Sequence, residues 1–203
     1  MVFSSLFFLY LFLPLNLICY FLAPNLRAKN VVMTVFSLCF YAWGEPIYLF
    51  LLLGMAFADW LIAIYISKCS VGSSKAKLGV VAMCIVNLGL LSVFKYGTFF
   101  LENLKNISGF PESIPNIMLP IGISFYTFQL MSYVVDVYRG DTRAQKNYFT
   151  LLLYVSLFHQ CVAGPIVRYK DIENKIFDRK VDNSSLSYGV WRFCIGLAKK
   201  SVL

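Results

Sequence analysis

Residues 119–140 read LPIGISFYTFQLMSYVVDVYRG, and residues 158–169 read FHQCVAGPIVRY. Both lie in runs apolar enough for a membrane, and both carry polar groups that a lipid-facing helix would lack. In the first run Gly122, Tyr126, Gln129, Tyr133 and Asp136 recur at alternating steps of four and three, which places them on one helical face. Ile123, Leu130, Val134 and Val137 fall on the other face, expected to meet lipid or a neighbouring helix. A carboxylate and an amide at membrane depth are costly, so the polar seam should face protein or a watery cavity. The plainer reading of the same seam is polar contact between packed helices. The second run, 148–163, has about 16 residues where a spanning helix needs about 20. Gly164-Pro165 stops it, because proline disfavours helical geometry in itself and in the residue before it. A short apolar helix broken in this way, and followed by Arg168, reads as re-entrant or half-spanning. Such backbone survives at membrane depth only where protein or a water-filled cavity meets its polar groups.

Composition sets the class. Of 203 residues 59% are hydrophobic and 14% charged, against about 25% charged in a soluble domain. The expected fold is all-α, a polytopic membrane helix bundle with short re-entrant or half-spanning helices around Leu119–Tyr169. No separate soluble domain is expected within 1–203. The net charge of +8 sits in short links between apolar runs, which suits membrane topology and anionic headgroups; no basic stripe with interleaved aromatics suggests nucleic acid. The six cysteines form no CxxC pair and read as small buried hydrophobes, without a metal site or disulfide framework.

Taken in order, Phe3–Leu22 reads as an anchored helix kinked at Pro14; no basic residue precedes Arg27 and no small-residue cleavage site follows, so it is not read as a signal peptide. Val31–Trp43 continues apolar to a tight turn at Gly44-Glu45-Pro46. Ile47–Ser67 is the next span, with Ala56, Asp59 and Ala63 on one face and Asp59 expected to pair structurally with a neighbour. Leu78–Phe94 follows and is expected to end at Lys95-Tyr96; 102–118 reads as a polar loop with Pro111 and Pro115. Ser184 or Ser185 is expected to cap a final helix. Arg27/Lys29, Lys68/Lys75/Lys77 and Arg139/Arg143/Lys146 fall on alternate links, hence on one side. The positive-inside rule makes that side cytoplasmic and the N-terminus external, in a multi-pass cell-membrane protein. A full span over 148–165 would put Arg168, Lys170, Lys175, Arg179 and Lys180 outside, so charge also favours re-entry.

No nucleotide loop, zinc motif or nucleophile elbow is present. His159 is the one histidine. Ser156 lies three residues before it, a weak signal of a Ser–His contact that more often is a satisfied hydrogen bond; spacing alone names no general base. Asp136 is expected to pair with Arg139, three residues on, or with Arg168.

MVFSSLFFLYLFLPL, SLCFYAWGEPIYLFLL, NLGLLSVFKYGTFF, LPIGISFYTFQLMSYVVDVYRG, VAGPIVRY and GLAKK together resemble the membrane-bound O-acyltransferase (MBOAT) family, most of all its bacterial alginate O-acetyltransferase branch. The likeness runs through essentially the whole chain in the family's order. It implies an enzyme taking an acyl group from a cytoplasmic donor such as acetyl-CoA, with no cofactor held permanently. The group passes to a hydroxyl of an exported polysaccharide, often with a partner acyltransferase outside the membrane. In that family the essential histidine lies in a later helix, so no catalytic residue carries over and 1–203 is expected to be the N-terminal part of a single acyltransferase domain, or a truncated product. Relatives generally have proline where this chain has His159. Gln129, Asp136, Arg139, His159, Gly164, Pro165, Arg168 and Tyr169 are the candidates for the donor path or its scaffold. Competing readings are D-alanyl transfer to teichoic acid, a transporter or channel subunit, and an inactive fragment.

Overall fold

The structure, a computed structural model, describes residues 5–105, 118–161 and 164–202. Among these the secondary structure is helical, without strands. The chain begins with a wide π-helical turn, Phe8–Phe12, that runs directly into α1, Leu13–Leu22. Pro14 explains the widened turn: its nitrogen cannot donate to the carbonyl four residues back and its ring crowds that carbonyl. The kink expected at Pro14 is thus a local unwinding just before it.

α2 spans Leu26–Gly44 and starts earlier than its apolar run, at the extended residue Asn25. Glu45 separates it from α3, Pro46–Ser67, because a residue preceding proline avoids helical geometry while proline suits a helix start. α4 spans Ser74–Lys105. It does not end at Lys95-Tyr96: residues 97–101, GTFFL, continue it without a proline, and the apolar stretch runs to Leu101. Most of the expected polar loop, residues 106–117 with Pro111 and Pro115, lies outside the described residues.

Pro46–Ser67 and Ser74–Leu101 are long and apolar enough to cross a membrane; Phe8–Leu22 is apolar but shorter. Their outer faces carry exposed Ile47, Phe50, Phe57, Leu61, Ile85 and Val93. An exterior of this kind is stable in lipid rather than water. The inner face of α3 presents Leu52, Met55, Ala56, Asp59, Ala63 and Ile66 at steps of three and four, all buried. α4 answers with Ala76, Met83, Asn87 and Leu91, and α5, Ile123–Arg139, packs against both. A Cβ added to Gly79 would lie 2.7 Å from Ile66 Cγ1, so the absent side chain is what lets α4 approach α3.

α5 is framed by two glycines in the left-handed region, Gly122 (φ 78°) and Gly140 (φ 80°). It is buried on both faces: Ile123, Leu130, Val134 and Val137 are as enclosed as Tyr126, Gln129, Tyr133 and Asp136. The apolar face therefore meets neighbouring helices and not lipid. α6 is Tyr148–Ser156, α7 is Phe158–Cys161, α8 is Tyr169–Phe177 and α9 is Asn183–Val202. The nine residues of α6 rise only about 14 Å, half of a roughly 30 Å hydrocarbon core. The expected break at Gly164-Pro165 comes earlier, at Leu157 (φ −47°, ψ 111°), and Gly164 (φ 123°) marks a second change of direction. Asp182, not Ser184 or Ser185, caps α9: its carboxylate accepts from the Ser185 amide (3.3 Å) and the Ser184 hydroxyl. The cysteines also depart from expectation. Cys39 and Cys194 are exposed and Cys19, Cys69 and Cys84 half-buried, as small apolar residues can be on a lipid-facing surface.

Candidate functional site: a hairpin on a polar seam

The segment from Gln145 to Tyr169 enters the bundle and leaves it at one level. Asn147 caps α6, accepting from the Phe149 amide (2.9 Å). α6 then descends against α2 and α3, with Tyr148 donating to the Leu53 carbonyl (3.0 Å). At the tip, the Phe158 amide donates to Ser37 Oγ (3.3 Å), and the Phe158 ring packs among Phe8, Phe12 and Phe40 with centroids 5.5–6.1 Å away. On the way back, the Val167 carbonyl accepts from the Tyr154 hydroxyl (2.8 Å), pinning the returning strand beside α6. The foot is closed by Gln145 Nε2, which donates to the Tyr169 hydroxyl (2.9 Å).

Gln145 is the hub of that foot. Its amide donates to the Tyr133 hydroxyl (2.7 Å), its carbonyl accepts from Trp60 Nε1 (2.9 Å), and its Oε1 accepts from the Asn147 amide (3.2 Å). Tyr169 stacks edge-on between Tyr133 (5.1 Å) and Tyr154 (5.3 Å), so α5, α6 and α8 meet on three tyrosine rings. Burial pushes the Tyr169 phenol up, its hydrogen bond from Gln145 works the other way, and the nearby Glu173 carboxylate adds to the rise; Tyr169 is therefore a neutral packing and hydrogen-bonding group. Gln145 drew no attention in the sequence, because a glutamine in a short polar link has no periodicity to distinguish it.

The predicted seam is present along α5, with Gln129 1% and Asp136 2% exposed. Several of its polar atoms have no hydrogen-bond partner among the described residues: Gln129 Oε1, Asp136 Oδ2 and Thr127 Oγ1 on α5, and Ser156 Oγ and Gln160 Oε1 at the hairpin tip. Unmet buried groups cost about 1–3 kcal/mol each, so a concentration of them marks a place where packing is not the governing demand. The expected ion pair of Asp136 with Arg139 or Arg168 is not formed: both arginines are exposed, and Asp136 makes no ion pair among the described residues. Arg139 occupies the last turn of α5, where its side chain reaches outward rather than back along the seam. The Ser156–His159 contact is absent as well. Leu157 breaks the helix between them, and His159 turns an exposed ring edge-on to Phe158 (5.3 Å). Gly164 and Pro165 are exposed at the second bend, and Arg168 immediately precedes α8. The structure thus brings Asp136, Gln129 and Tyr169 into one buried region and leaves Arg139, His159 and Arg168 outside it.

Asp59 meets its expected structural partner. Asn87 Nδ2 lies 2.9 and 2.8 Å from the two carboxylate oxygens and 3.0 Å from the Met83 carbonyl.

The basic links gather at the end of the bundle that holds the hairpin foot. Arg179 donates to the Tyr20 hydroxyl (2.8 Å) and to Asn30 Oδ1 (3.1 Å), with Lys29 also over the Tyr20 ring at 5.3 Å. Asn30 Nδ2 donates to the Ile176 carbonyl (3.0 Å), and Thr142 donates to Glu173 (3.0 Å). Between α2, α6 and α8 these contacts leave a cavity of about 880 Å³ lined by Arg27, Asn30, Thr34, Gln145, Asn147 and Leu153, among others. The other end carries Glu45, which accepts from the Ile121 amide (2.9 Å), and Tyr48, which donates to the Met118 carbonyl (3.0 Å).

A helical bundle with two helices apolar enough to cross a membrane, a polar-backed hairpin and a basic-end cavity has the character of a membrane protein. No family model and no solved structure matches the chain. Its sequence is similar to the probable alginate O-acetylase AlgI of Pseudomonas aeruginosa, 37% identical over 204 residues covering 98% of this chain and 39% of that protein. The protein of the same name from Pseudomonas putida is also 37% identical, with 98% and 42% covered. The peptidoglycan O-acetyltransferase of Helicobacter pylori is 30% identical over 236 residues, covering all of this chain and 44% of that protein. The likeness to alginate O-acetyltransferases of the membrane-bound O-acyltransferase type therefore runs the length of the chain. The chain spans about two-fifths of the length of these curated relatives.

Proposed function

We propose that this chain forms part of a membrane O-acyltransferase that moves an acetyl group from a cytoplasmic donor, such as acetyl-CoA, to a hydroxyl of an exported polysaccharide. The observation that carries the reading is the hairpin tied at one end by Gln145 and Tyr169 and backed by the α5 seam. A donor on one side and an acceptor on the other need a path through the bilayer, and a half-depth hairpin walls such a path without closing it. The multi-pass arrangement has the basic end in the cytoplasm and the N-terminus outside. The cavity at that end, with Arg27 and the amides of Asn30, Gln145 and Asn147, then serves as the donor's mouth. Acetyl transfer requires a base for the acceptor hydroxyl and donors for the oxyanion. Arg168 and the backbone amides near Gly164 belong to the donor side of this scheme, and the base is assigned to no residue of 1–203. The acceptor, or a partner acyltransferase that completes delivery, stands outside the membrane.

Membrane vesicles of one orientation, supplied with labelled acetyl-CoA on the cytoplasmic side, test the reading. Label should appear in external polysaccharide when the chain is present within an active enzyme, and the 203-residue chain alone should transfer none. Transfer only from a D-alanyl carrier protein would replace acetyl with D-alanyl; solute flux without acyl transfer would replace the enzyme with a transporter. Cysteines placed singly at Lys29, Lys75 and Arg143 in a cysteine-free background should react with an impermeant maleimide from one side, and a cysteine at Glu45 from the other.

A further inference from the structure

A second groove, of about 590 Å³, opens at the basic end and shares no lining residue with the cavity beside α2. Its walls are the last turns of α3 with Lys68 and the α5–α6 link with Arg143 and Lys146; its floor includes Ile64, Val71 and Ala144. We propose that this groove holds the headgroup of an anionic phospholipid, its phosphate met by Lys68, Arg143 and Lys146 and the upper part of an acyl chain lying on the apolar floor.

Three observations converge on that ligand. The cations come from two links more than seventy residues apart in sequence, so the fold and not a local run of charge brings them to one groove. No carboxylate lines the groove: Asp141, in the same link as Arg143, is exposed and lies outside the lining. Among the described residues none of the three cations forms an ion pair, and like charges gathered without a counter-charge favour an anion. The floor then decides between a lipid phosphate and a free one. α3 is apolar enough to span, and the groove sits where that apolar stretch passes into basic link, the depth at which headgroups lie. A soluble anion gains nothing from Ile64, Val71 and Ala144, whereas a lipid meets cation and hydrocarbon together. The Tyr65 and Ile66 carbonyls near the end of α3, which would repel an anion, are engaged by the Lys68 and Cys69 amides.

The full 203-residue chain in zwitterionic detergent is titrated with fluorescent phosphatidylglycerol and, separately, phosphatidylcholine. The wild type should prefer phosphatidylglycerol. R143Q/K146Q should weaken phosphatidylglycerol binding on the order of tenfold while leaving phosphatidylcholine unchanged, as expected for two cations lost near one phosphate. K75Q/K77Q removes two exposed lysines from the neighbouring link and should keep the preference. Lys68→Gln, from the other wall, should weaken binding without altering the α5–α6 link, and R143K/K146R should restore it. Equal loss in K75Q/K77Q would mean diffuse charge and overturn the site. So would an unchanged preference in both R143Q/K146Q and Lys68→Gln. Displacement of the lipid by inorganic phosphate at equal concentration would overturn the lipid assignment in favour of a free anion.

Discussion

Asn87→Leu is the sharpest perturbation the structure offers. Asp59 is fully buried in the α3–α4–α5 core, and among the described residues Asn87 Nδ2 is the one side-chain donor to both its oxygens, at 2.9 and 2.8 Å. Leucine keeps the branched four-atom skeleton of asparagine with methyl groups in place of the amide atoms, so the change removes the donor without opening a cavity. Leaving a buried donor or acceptor unmet costs about 1–3 kcal/mol, and both carboxyl oxygens lose their donor, so a loss of about 3 kcal/mol is expected. For a chain of this size that corresponds to a fall in thermal midpoint of roughly 6–12 °C. Tryptophan fluorescence of detergent-purified protein reads it, Trp60 being packed against Phe57 and Tyr148 near the same core. The double variant Asp59→Leu/Asn87→Leu should recover most of the loss, because exchanging the whole pair for apolar side chains leaves nothing unmet. A wild-type midpoint for Asn87→Leu, or a double variant less stable than the single, would show that the carboxylate is met in another way and refute the argument.

Gly79→Ala should destabilise by about 1–3 kcal/mol through the clash with Ile66; in a cycle with Ile66→Ala the double variant should lose less than the sum of the singles, and strict additivity would count against the close approach. Gln145→Ala removes the donor to Tyr169 and the acceptor for Asn147, about 1–2 kcal/mol, and should speed hydrogen exchange at 164–169 while leaving α3 and α4 as they were; uniform exchange across the chain would argue that Gln145 is not the foot of the hairpin. Hydrogen bonds from Ser184 and then Ser185 hold the Asp182 carboxyl down to about 2. A depressed folded value means that the cap is in place above the ordinary carboxylate range and is lost as pH falls from there toward 2. Exchange at the first turn of α9 should therefore rise over that interval in the wild type and be high at all pH in Asp182→Ala; a flat wild-type profile would remove the cap.

The seam on α5 was legible because steps of four and three define a helical face whatever packs on it, and the shortness of the helix from Tyr148 because the apolar run has only sixteen residues, although its break falls at Leu157 and not at Gly164-Pro165. Asp59 announced that it needed a partner but not which one, since Asn87 is 28 residues away on another helix. Asp136 shows the limit of spacing arguments: Arg139 is near in the helical wheel, yet the end of α5 turns it outward while Asp136 stays in. Gln145 was invisible because its importance lies in tertiary hydrogen bonds, donated to Tyr133 and Tyr169 and accepted from Trp60, none of which leaves a local pattern. The length of α4 was missed for the opposite reason. Lys95-Tyr96 interrupts its apolar pattern but not its backbone.

Phe158 reaches back 121 residues to Ser37 and 150 to Phe8. A ribosome adding about 5–20 residues per second needs about 6–24 s to make the chain between Ser37 and Phe158. Through that interval the Phe8, Phe12 and Phe40 rings and the Ser37 hydroxyl lack the ring and amide that fill their pocket in the folded chain. Assembly is ordered by that dependence: the pocket is made first and the residue that closes it last.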